Sequence, residues 1–132
     1  MRLRLGRKVA PPPPVRDSLE RIFGESGACV GEVAIVEYSL LARLHLAAVA
    51  TTRRRRIFLS GSAEDFFADP SLMLHEYCHV LLQWEPGSLT RLRYLRECLR
   101  HGYWNNPYEV EARTFAQRHL PRFRELLARA AS

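Results

Sequence analysis

The chain has 132 residues, 47% of them apolar and 26% charged, with 20 basic side chains against 14 acidic and a net charge of +6. That length and composition suit one globular domain and leave no room for separate catalytic and recognition domains. No apolar run approaches the roughly 18 residues that cross a bilayer, and the three scattered cysteines, Cys29, Cys78 and Cys98, argue against a disulfide framework and for a reducing compartment.

Residues 1–16 read as a basic, proline-rich arm in which Pro11 to Pro14 favours an extended polyproline conformation, followed by one domain over 17–132. Basic residues without an apolar core behind them make no secretory signal, so a cytoplasmic location is expected. Asp17-Ser18-Leu19-Glu20 supplies an N-cap and a capping-box glutamate for a helix ending at Phe23-Gly24. Gly31 to Tyr38 alternates as a strand, and Ser39 to Leu46 has leucines at helical spacing, with His45 exposed. A hairpin or bent strand over Val49 to Ser60 precedes a loop at 61–65. The run Arg53, Arg54, Arg55 and Arg56 there could attract an anionic partner. No aromatic side chains are arranged among these charges, so nucleic acid is not the favoured partner.

Asp69-Pro70 opens the next helix, with Asp69 as N-cap and Pro70 in its first turn, running to about Trp84. It is apolar around most of its circumference, so it should be the buried centre of the domain. Ser88 should cap an amphipathic helix with Leu89, Leu92, Leu95 and Leu99 on one stripe and Gly102 after its end. Pro107 opens a helix carrying Glu109 and Glu111, and Pro121 should break the chain into a last helix, with His119 at the end of the one before.

The chemistry concentrates in Leu74-His75-Glu76-Tyr77-Cys78-His79-Val80. Residues i and i+4 share a helix face, so His75 and His79 can offer both imidazoles to one ion. Glu76 is rotated by about 100°, which sets its carboxylate beside the metal, where it can take a proton from metal-bound water. Cys78 lies off the histidine stripe and reads as a small buried hydrophobe. Catalytic zinc needs a third protein ligand and an open position. Glu109 or Glu111 can supply it, but not both, because they diverge by about 200° on a helix.

These two stretches, LHEYCHVLL (74–82) and EVEARTFA (109–116), resemble the gluzincin zinc metallopeptidases, and a weaker likeness over Val33 to Leu59 resembles the approach to the metal helix in small bacterial minigluzincin-like domains. The resemblance implies zinc held by His75, His79 and Glu109, with Glu76 as general base in peptide hydrolysis. It also implies substrate pairing along a strand at Arg56 to Ser60. Those families place Asp or Asn one turn after the ligand glutamate to hold a metal histidine. This chain has Arg113 there, so that hydrogen bond must come from elsewhere, with Glu111 or a backbone carbonyl as candidates. Tyr103 and His101, in the loop before the glutamate helix, are candidate oxyanion stabilisers.

The expected fold is therefore α+β, a zincin-like domain with a small sheet packed on the H-E-x-x-H helix and a helical C-terminal half. The expected function is that of a zinc-dependent metallopeptidase acting on a peptide or protein substrate, through Glu76-assisted attack of zinc-bound water. The rival is an inactive, zinc-stabilised binding or regulatory module.

Overall fold

The computed structural model describes residues 6–39 and 50–131. Among the described residues four short strands make one mixed sheet in the order β1-β2-β4-β3, with β1 at Arg7–Val9, β2 at Ala34–Glu37, β3 at Ala50–Arg53 and β4 at Arg56–Leu59. β2 runs antiparallel to β1 and parallel to β4, and β3 and β4 form an antiparallel hairpin. The helices are α1 (Pro13–Phe23), α2 (Ala63–Phe67), α3 (Pro70–Cys78), α4 (Arg91–His101) and α5 (Pro107–Ala131). α3 continues without a break into a wider π turn, His79–Trp84.

The sheet packs on α3, and the C-terminal half is helical, as the alternation and helical periods imply. Ile35 and Ile57 face each other in the β2–β4 register and are fully buried against Met73, Leu74 and Tyr77 of α3. The Asp69 carboxylate accepts from Leu72 N–H at 3.1 Å, so the expected cap is in place. α5 lies along α3 through a seam of Glu109, Ala112, Ala116 and Phe123. Small alanines at two of those positions let the helix axes approach, and they aim the first member of the seam, Glu109, at α3. Phe115 stacks on Phe23 with ring centroids 4.8 Å apart, tying α1 to the same helix. The hairpin turns at Arg54-Arg55, where Arg55 adopts φ 58°. Its guanidinium is tied to Glu85 at 2.7 Å and to Glu32 at 3.2 Å.

Several sequence expectations are corrected. Residues 7–9 are an edge strand rather than extended arm, and Arg7 reaches the buried Glu37 carboxylate at 2.9 Å. Helix α1 starts at Pro13, not after Asp17, because proline needs no N–H in a first turn. Ser18 donates to the Pro14 carbonyl instead of capping. The loop expected at 61–65 holds the start of α2, whose N-terminus is capped by Ser62 accepting from Asp65 N–H. Helix α4 is capped by Thr90, while Ser88 donates to the Gln83 carbonyl and closes the preceding helix. α5 passes through Pro121 unbroken. Losing one backbone bond there is offset by Phe123, fully buried two residues later. His119 thus sits inside a helix, its ring 4.3 Å from that of Phe115. Strand β4 lies between β2 and β3, so both of its edges are already paired and it cannot take a substrate strand. The helix expected at 39–46, with His45, falls at 40–49 outside the described residues.

Candidate metal centre

Helix α3 and the π turn that continues it present His75 and His79 one turn apart, and α5 brings Glu109 against them. His75 Nε2 and His79 Nε2 are 3.2 Å apart, and Glu109 Oε1 is 2.9 Å from the first and 3.0 Å from the second. Three ligands held by one tetrahedral zinc at about 2.0–2.1 Å stand about 3.3 Å from each other, so the triangle is within a few tenths of an ångström of that spacing. His79 and Glu109 are buried and His75 nearly so. Glu111 points elsewhere, which leaves Glu109 as the carboxylate that meets the histidines.

The hydrogen bonds around the triangle fix its protonation. Gln83 Nε2 donates to the Tyr108 carbonyl at 2.9 Å and to Glu111 Oε1 at 3.0 Å. Both partners only accept, so Gln83 must turn its carbonyl oxygen to His79 Nδ1, 2.6 Å away. Nδ1 therefore carries a proton, and the neutral ring offers Nε2 as a lone pair to the triangle. On the other side Tyr94 of α4 donates to Glu109 Oε2 at 2.7 Å, leaving Oε1 for the shared point. Lone pairs converging at such distances repel unless a cation stands among them, and two imidazoles with one carboxylate are a donor set for zinc. The residues fit the ion.

Gln83 and Tyr94 escape a reading by motif. Gln83 is 1% exposed, the one amide in an apolar run, four residues after His79. A buried amide needs partners, and that was the available signal. It takes the place left open by Arg113, whose guanidinium stacks on the Trp104 ring at 3.8 Å and donates to the Trp104 carbonyl. Glu111 acts one step further out, by holding Gln83. Replacing Gln83 with Met keeps the volume but removes the acceptor at Nδ1. Zinc affinity of Gln83→Met should fall about 10- to 100-fold, as a competition titration against a chromogenic chelator will read.

Glu76 lies beside the triangle in a buried setting. Burial raises its pKa above the ordinary carboxylate value, the neighbouring His79 and His75 oppose that rise, and Glu109 adds to it. For Glu109 burial also acts upward, but the bonds to His75, His79 and Tyr94 outweigh it and hold the group well below its usual range. Burial acts to lower His79, yet the Glu109 bond and the Glu76 and Glu109 charges push it up to about 9 in the ion-free protein. A proton and a metal ion compete for the same lone pair. Zinc uptake at pH 7 should therefore release a proton, and apparent affinity should drop by about tenfold per unit as pH falls below that value. Calorimetric titrations in buffers of different ionisation enthalpy will count the proton.

Of the two candidate oxyanion donors, His101 is exposed with Nε2 3.3 Å from Glu97. Tyr103 is mostly exposed, and its pKa is raised by partial desolvation and by the charges of Glu109 and Glu76. The arginine run is largely engaged within the fold: Arg54 and Arg55 pair with Glu85, and Arg53 donates to the Thr52 carbonyl. Cys29, Cys78 and Cys98 are all free thiols. Among the described residues no helix is long and apolar enough to cross a membrane. His75-Glu76-x-x-His79 with the distal Glu109 is thus a buried His-His-Glu set able to coordinate a metal ion, consistent with a gluzincin-type zinc site. No family model, no curated protein and no solved structure matches the chain.

Proposed function

We propose that the protein is a zinc-dependent metallopeptidase of the gluzincin kind, with the architecture of the minigluzincin-like domains. One observation carries the reading: the ligand atoms of His75, His79 and Glu109 converge beside a buried carboxylate, Glu76. Bound zinc would supply a Lewis acid for the scissile carbonyl and bring the pKa of water towards about 7. Glu76, with its proton affinity raised by burial, takes a proton from the attacking water and returns it to the leaving amine. Gln83 and Tyr94 hold two of the ligands in place throughout. Tyr103, kept protonated, donates to the carbonyl oxygen as charge gathers there.

The substrate strand belongs on β3 rather than β4. Among the described residues no strand pairs with the outer edge of β3, and Trp84, at the end of the metal-bearing helix, donates to Thr52 of that strand at 3.2 Å. An extended peptide can add there through backbone bonds. The test is cleavage of a mixed peptide library by the zinc-loaded protein, abolished by a chelator and restored by zinc. Zinc bound with no peptide cut in any library would leave a zinc-stabilised binding module instead.

A further inference from the structure

Helix α4 is turned the wrong way round for a core helix. Leu92, Leu95 and Leu99 lie in solvent, no residue of the helix is buried, and none of its side chains joins the hydrophobic core. Only Tyr94, Glu97 and Cys98 are partly covered, at i, i+3 and i+4, so the face turned to the body is the polar one. Glu97 pairs with Arg96, Arg100 and His101 of its own helix and ties it to nothing else. Among the described residues three side chains make the polar ties that remain. Arg93 donates to the Gly87 and Ser88 carbonyls, close to where the helix begins. The Tyr94 hydroxyl donates to Glu109 Oε2 at 2.7 Å, and the Asn106 amide donates to the Tyr94 carbonyl at 3.3 Å and the Cys98 sulfur at 3.2 Å. The chain is fixed on either side of this segment, by buried Leu89 and by Trp104, whose ring lies against the Arg113 guanidinium. Between those points Gly102 stands at φ 76° with no atom within 4 Å of its Cβ position, a free joint at the far end.

We propose that α4 is a lid over the metal centre, latched by the Tyr94 hydroxyl on Glu109 and turning about Thr90 and Gly102 to admit and release the occupant of the site. Glu76, His79 and Glu109 are buried and His75 nearly so, so whatever reaches the open position of the ion must displace a cover. α4 is the element that costs least to displace. Its opening gives up no core contact and breaks only the bonds of Tyr94 and Asn106, whereas α3 and α5 are packed into the core and open only with the domain. Closure returns the Tyr94 bond to Glu109 Oε2 and leaves Oε1 aimed at the histidines, so the closed lid is the state in which the ligand set is in order. The role of the lid in turnover rests on the peptidase reading, but its opening does not.

Hydrogen exchange read by mass spectrometry on the full, zinc-loaded chain tests the lid. Amides of 91–101 should exchange at least about tenfold faster than those of α3 and α5. Tyr94→Phe should speed α4 by about a further tenfold and leave α3 and α5 as they were. Asn106→Asp keeps the acceptor for Tyr108 N–H but loses the amide donor, and should speed α4 in the same sense. Zinc removal by excess chelator should quicken in Tyr94→Phe by the same factor as α4 exchange. A Tyr94 that served only to steady Glu109 would change zinc removal without changing α4 exchange. Exchange of α4 in step with α3 and α5, or unmoved by both variants, overturns the lid, as does faster α4 exchange with zinc removal unaltered. The exchange measurements run equally on the ion-free chain, so a protein that takes up no zinc would sink the peptidase reading and leave the lid to be decided by exchange alone.

Discussion

Glu76→Gln should lower peptide hydrolysis by about 10²- to 10⁴-fold in kcat, with KM little changed and one equivalent of zinc still bound. Gln keeps the shape of the side chain but takes no proton, so it removes the general base alone. The carboxyl suits the task because burial raises its proton affinity, while the histidines beside it keep that rise in check. A group so placed can accept a proton and give it back within one turnover. None of the three converging ligand atoms belongs to residue 76, so binding of the ion should survive. A variant that hydrolyses as fast as the wild type would show that another group carries the proton. A variant that loses its zinc would make Glu76 a structural residue.

Chelation should lower the melting temperature by roughly 10–20 °C, reversed by added zinc. An ion held a thousandfold above its dissociation constant stabilises the folded state by about 4 kcal/mol, and in a domain of this size each kcal/mol moves the transition by about 3–5 °C. The location of the site favours a large response. His75 lies on the buried helix α3, His79 opens the π turn that continues it, and Glu109 opens the seam that packs α5 along it. Removing the ion leaves a carboxylate and two rings facing one another at the contact between these helices, where only protons can relieve the repulsion. Differential scanning calorimetry with and without chelator reads the shift directly. Equal transitions in both conditions would mean that no ion bridges the two helices.

The parts of the fold legible in the sequence were those set by local chemistry. Asp69-Pro70 could only open a helix, the His75/His79 spacing could only place two rings on one face, and 49–60 read as a hairpin or a bent strand, of which the structure has the hairpin, turning at Arg54-Arg55. The choice between Glu109 and Glu111 was beyond helical angles alone. It is decided by Ala112 and Ala116, whose small side chains rotate α5 so that Glu109 falls on the seam. Pro121 misled because its local penalty is real, yet Phe123 and the α1–α5 contact outweigh it. The leucines of α4 form the amphipathic helix that their spacing implies, and the stripe lies in solvent. Their period gives an amphipathic helix but not which neighbour, if any, receives its apolar face. Gln83 was hidden because an isolated amide in an apolar run has meaning only once its partners, Tyr108, Glu111 and His79, are assembled from another helix and from its own.

Elemental analysis of the purified protein and three variants tests the metal site most directly. One equivalent of zinc should be present in the wild type and in Glu111→Ala, and absent from His75→Ala and Glu109→Ala. Zinc missing from the wild type, or retained after loss of His75 and of Glu109, would contradict the convergence of these side chains on a single ion.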